Sequence, residues 1–167
     1  MEVDSKTILC MVARYFGLKR DTTEERLKLQ KTIYLLQSYG LNLGYGFSWY
    51  KYGPYSQDLV QDAYDVLRSE KLKYEYKTRS LKFNKHSQEK FEEFKKICKD
   101  ILNDNAKLEV AASLYFIRQT WCPTANDEEL IQKFKELKKR LFGGRSITED
   151  MINGAVEICR ELKGSRN

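Results

Sequence analysis

The sequence predicts a mainly α fold of about six helices with one β-hairpin, and three observations carry that prediction. Apolar residues recur at three- and four-residue spacing along most of the 167 residues. Capping residues such as Asp4, Thr22 and Ser56 stand just before these stretches, and glycines such as Gly17 close others. The segment L-K-Y-E-Y-K, a T-R-S turn and L-K-F-N instead alternate with period two, as the arms of a hairpin do. Helix, helix, helix, hairpin is the order of a winged helix-turn-helix unit. Residues 1–85 therefore read as a winged-helix-like half with its hairpin at about 72–84, and residues 86–167 as the helical half of the same single domain.

Asp4 caps a first helix to about Phe16, with Ile8, Met11, Val12 and Tyr15 on one face. Thr22 or Thr23 starts the second, with Glu24 and Glu25 placed where negative charge suits the helix dipole. Leu29, Ile33 and Leu36 form its stripe, and Leu27, Tyr34 and Leu35 widen it, so this helix is expected at the centre of the fold. Gly40, Gly44 and Gly46 open a loop into F-S-W-Y-K-Y-G-P-Y-S at 47–56. Ser56 caps a third helix through Glu70, with Leu59, Ala63, Val66 and Leu67 buried. Beyond the hairpin, Ser87 is expected to cap a helix through Ile101. A core helix follows in A-K-L-E-V-A-A-S-L-Y-F-I-R-Q-T. Asp127–Arg140 reads as an amphipathic helix, acidic at its start and basic at its end, and Thr148 caps a last one through Leu162.

Hydrophobic content of 41% and charged content of 32% suit a globular domain large enough to bury its own core. No apolar run approaches the roughly 20 residues of a membrane span, and M-E-V-D-S-K has neither a basic nor an apolar leader segment, so a cytoplasmic protein without membrane contact is expected. Cys10, Cys98, Cys122 and Cys159 are scattered with no histidine nearby. They read as reduced core thiols, and neither a metal nor a cofactor is expected.

Catalysis is the weakest function class. The single histidine, His86, lies beside Ser87 with nothing like a nucleophile elbow around it, and an undetected hydrolase is the remotest reading. The net charge of +6 invites a nucleic-acid reading, but its placement divides the chain. Residues 57–70 carry Asp58, Asp62, Asp65 and Glu70 against Arg68, which makes the third helix a poor reader of phosphates. Residues 71–85 carry Lys71, Lys73, Lys77, Arg79, Lys82 and Lys85 against Glu75, so a basic hairpin is the candidate surface for a nucleic-acid-binding regulator. An acidic helix beside a basic wing also suits orienting a charged protein partner, with Asp58, Asp62, Asp65 and Tyr50 as contact candidates.

Nine of the eleven tyrosines lie between Tyr34 and Tyr76, which concentrates attention on the aromatic segment. Most of its rings are expected to pack over the second helix, with one or two left exposed as interface anchors. Gln30 and Lys31, polar residues on an apolar helix, are expected to hydrogen-bond loop carbonyls near Gly53.

L-K-L-Q-K-T-I-Y-L-L-Q at 27–37 and F-S-W-Y-K-Y-G-P-Y-S-Q-D-L at 47–59 resemble motifs of the SocA-like/Panacea antitoxin superfamily, most closely its YwgA-like branch of small prokaryotic proteins. L-E-V-A-A-S-L-Y-F at 108–116 and M-I-N-G-A-V-E-I-C at 151–159 extend the resemblance over most of the chain. The matching positions are Leu29, Gln30, Lys31, Tyr34, Trp49, Tyr52, Gly53, Pro54, Tyr55 and Ser56. The antitoxin branch more often has a tryptophan, a basic residue and G-P-V where this chain has Y-G-P-Y-S. The resemblance implies a helical, non-catalytic protein-interaction module of antitoxin or adaptor type, whose partner is a toxin or a protease-type client.

Overall fold

Two buried helices form the axis of the molecule, whose computed structural model describes residues 3–165. Helix α1 (Ser5–Phe16) is capped by Asp4, which accepts from the Thr7 amide at 2.7 Å. That cap hydrogen bonding holds the Asp4 carboxyl at about 2. Helix α2 (Thr23–Tyr39) is capped by Thr22. Eleven of its seventeen residues are buried, so it has no solvent face in the usual sense. It packs on α6 (Asn105–Thr120), in which eleven of sixteen are buried. The expectation that α2 is central holds, with α6 as its equal. Around this pair lie α5 (Lys85–Ile97), α7 (Asp127–Leu137) and α8 (Glu149–Ser165), and one contiguous apolar cluster runs through all of them. Among the described residues no helix is long and apolar enough to cross a membrane.

The mainly α prediction with one two-stranded hairpin is met, but the hairpin is elsewhere. Strand β1 (Ser48–Tyr50) pairs antiparallel with β2 (Gly53–Tyr55) in the register Ser48–Tyr55, Trp49–Pro54 and Tyr50–Gly53. The aromatic segment itself is therefore the β structure. At 72–84 no hairpin and no wing form. Helix α3 (Gln57–Tyr64) continues through a π-helical turn over Asp65–Ser69, and α4 (Lys71–Thr78) follows. Burial explains the difference. Tyr74 and Thr78, four apart, face inward, whereas Leu72 and Tyr76 are 80% and 75% exposed. Tyr74, Leu72 and Tyr76 thus follow the helical period and not the alternation that the letters suggest. Thr78 is the anchor: its hydroxyl donates to the Tyr74 carbonyl at 2.7 Å and accepts from Arg14 of α1. Eight α-helices stand among the described residues, more than the six or so expected.

Smaller boundaries also shift. Asn84, not Ser87, caps α5 by accepting from the Ser87 amide at 2.9 Å, which puts His86 in the first helical turn. Helix α7 stops at Leu137, and Lys138 is extended rather than a last helical cation. Cys10, Cys98 and Cys159 are buried free thiols and Cys122 is half-buried. Burial pushes the Cys159 thiol up to about 12, as a core role requires.

Candidate functional site

Two strands of three residues cannot hold themselves together in water. Here buried side chains pin the hairpin from both sides. Gln30 of α2 donates to the Ser56 carbonyl and accepts from the Ser56 amide, both at 2.9 Å. Lys31 donates to the Pro54 carbonyl at 2.6 Å. Both were expected to reach carbonyls near Gly53, and they do. Ser56 then caps α3 through the Leu59 amide at 3.3 Å. Replacing Gln30 by Leu strands one buried amide and one buried carbonyl, so a loss of about 2–4 kcal/mol is expected in urea unfolding.

Gly53 supplies the second constraint. Its φ of +92° lies where other residues are strained, and a Cβ placed there would meet the Ser113 hydroxyl of α6 at 2.3 Å. The hairpin thus lies directly on α6.

A third set of pins is ionic. Glu109 of α6 and Lys138 are almost wholly buried and pair at 3.3 Å. Glu109 also accepts from the Phe142 amide at 3.1 Å. Lys138 reaches on to the Lys51 carbonyl at 3.2 Å, beneath the rings of Trp49 and Tyr52. The carbonyls of Lys51, Pro54 and Ser56 are each held by a buried side chain. Burial raises the Glu109 carboxyl above its ordinary value and lowers the Lys138 amine, each opposed by the other's charge. Burial also pulls Lys31 down from 10.5 to about 7, helped by Lys138 and resisted by Glu109.

This has a pH signature. Between about pH 7 and 10.5 the unfolded chain keeps a proton on Lys31 that the folded chain has released. The contribution of Lys31 is therefore least favourable below pH 7 and improves as pH rises through that interval. The stability of wild type relative to Lys31→Met should climb from pH 6.5 to 9.5 in paired urea titrations. A flat difference would show that Lys31 stays charged throughout.

Behind these pins the hairpin, α2 and α3 enclose a cleft of about 440 Å³. Leu27 and Leu29 of α2, Val60 and Ala63 of α3, and Tyr50, Tyr52 and Tyr55 of the hairpin segment line it. The Tyr50 and Tyr55 rings lie 4.9 Å apart, and Tyr52 packs edge-on to Phe142 at 5.1 Å. Of the five rings in the segment, Tyr50 is 56% exposed and the others are half-buried, so fewer enter the core than expected. Arg20, Arg26, Lys31 and Lys51 also line the cleft, and no carboxylate of the described residues does. Among the described residues none of these four cations forms an ion pair. Arg26 braces the turn before α2 by donating to the Arg20 and Asp21 carbonyls at 3.1 and 3.2 Å. Arg20 stacks over Tyr64 at 5.0 Å, and its Nη1 is enclosed without a hydrogen-bond partner among the described residues.

Comparison with protein families, curated proteins and solved structures gives no match to this chain.

The other predicted residues disperse. Tyr34 is buried against Phe47 and Phe116, and donates to Gln119 at 3.1 Å. Asp62 accepts from the Tyr45 hydroxyl at 2.8 Å, and Asp65 pairs with Lys6 at 2.7 Å. Two of the three acids proposed as partner contacts therefore tether α3 to its own fold, and of the three only Asp58 is exposed. Of the six basic residues assigned to a wing, Lys71, Lys73 and Lys77 on α4 and Lys85 on α5 pair with Glu75, Glu70, Asp4 and Glu89. Arg79 lies over Tyr76. Lys82 follows in the loop. The residues that reasoning from sequence missed are Arg20, Arg26, Lys51, Glu109 and Lys138. Only the crowding of Arg20 and Arg26 around the start of α2 left a trace in the sequence.

Proposed function

We propose that this chain is a non-catalytic protein-interaction module of antitoxin or adaptor type, and that a protein partner docks in the tyrosine-walled cleft. The observation that carries the reading is the lining: three tyrosine rings and four basic residues, without a carboxylate among the described residues, around a hairpin fastened at three carbonyls. Rigid, half-exposed aromatic rings beside arginine are the composition of interface anchors. Those residues supply aromatic and cationic binding groups. The resemblance to SocA-like and Panacea antitoxins supports the same class and suggests a toxin or a protease-type client as the partner.

Affinity purification of the tagged chain from its native host tests this, with Tyr50→Ala as the control. A stoichiometric protein retained by wild type and lost by Tyr50→Ala, at unchanged melting temperature, is the expected result. Recovery of no stoichiometric protein, or equal recovery by both, would contradict it.

A further inference from the structure

We infer that the segment accepted by this cleft is acidic: an aliphatic or aromatic side chain flanked by aspartate or glutamate, presented by the partner as a short linear stretch. This rests on the protein-interaction reading above and names the chemistry of its partner. The charges make the argument. Arg20, Arg26, Lys31 and Lys51 line a space with no carboxylate of the described residues in its walls. Of these, Arg20, Arg26 and Lys51 are the groups nearest solvent and the ones an incoming anion would meet, since the buried Lys31 amine is engaged by the Pro54 carbonyl.

The donors are available. Arg20, half-buried in the lining, forms no ion pair among the described residues, so a carboxylate in the cleft can offset its charge. Lys51 stands exposed at the hairpin turn, with its amine 5.4 Å from the Tyr52 ring centre. The walls between these cations are apolar. Leu27, Val60 and Ala63 line the cleft with apolar atoms that suit a hydrophobic side chain. An apolar slot with a cationic margin matches an apolar residue with acidic neighbours.

Selection from a random twelve-residue peptide display library tests the inference without knowledge of the partner. Enriched peptides are expected to carry Asp or Glu on both sides of an aliphatic or aromatic residue. Their affinity, read by fluorescence anisotropy, should fall about tenfold in Arg20→Gln and in Lys51→Glu, and should weaken with salt. Lys51 is exposed, so Lys51→Glu is expected to fold normally and serves where Arg20→Gln does not. Enrichment of peptides without acidic residues, no enrichment, affinities unchanged in both variants, or displacement of the peptide by ATP or a single-stranded oligonucleotide would overturn it. Should the host-purified partner bind both variants as tightly as wild type, the acidic segment is wrong and the interaction module stands. Should no partner exist, the module itself fails.

Discussion

Gly53→Ala should destabilise the protein by about 2–3 kcal/mol, a drop of roughly 5–10 °C in melting temperature. Two costs add. An alanine at φ +92° is strained by about 1–2 kcal/mol, and its Cβ would press on the buried Ser113 hydroxyl at 2.3 Å. The two are separable. The Ser113 hydroxyl is buried without a partner among the described residues, so Ser113→Ala by itself should cost little. In that background Gly53→Ala should lose only the backbone share. Thermal and urea unfolding of the two single variants and the double variant check this cycle. An unchanged midpoint for Gly53→Ala would mean that the hairpin does not lie on α6 as described.

Glu109→Gln should cost more, about 3–5 kcal/mol near pH 6. The change keeps the side chain's shape but leaves Lys138 and Lys31 without their buried counter-charge. The loss should shrink at pH 9, because the two amines, already lowered by burial, then shed protons more readily. Urea midpoints at both pH values measure it. A loss below about 1 kcal/mol at pH 6 would show that the pair contributes little to holding the hairpin. Because Lys138 grips the Lys51 carbonyl, the same substitution should also loosen the tip of the hairpin, seen as faster amide exchange at residues 50–53.

Local signals in the chain were easy to read where a single residue does a local job. Asp4, Thr22 and Ser56 cap the helices that the spacing assigns to them, and Gly17 and Gly40 close α1 and α2 in left-handed geometry. Gln30 and Lys31 were legible because a buried helix face must explain each polar residue on it. The hairpin was misplaced because L-K-Y-E-Y-K alternates with period two, whereas S-W-Y-K-Y-G-P-Y, with Trp49 and Tyr50 adjacent, does not. What decides between them is tertiary: Tyr74 and Thr78 have α1 to pack on, and Gly53 alone can approach α6 closely. The ionic pins were illegible for a different reason. Glu109 sits in an apolar helix, and Lys138 looks like a surface cation at a helix end; nothing local joins residues that far apart. The cleft inherits that difficulty, since its cations come from the turn before α2, from α2 itself and from the hairpin turn.

Hydrogen–deuterium exchange of the chain with and without its co-purified partner tests the central claim most directly. If the tyrosine-walled cleft is the docking site, protection should appear at residues 20–27 and 50–55. Protection confined to α3 or to the exposed face of α4 around Leu72 and Tyr76, with the cleft unchanged, would contradict it.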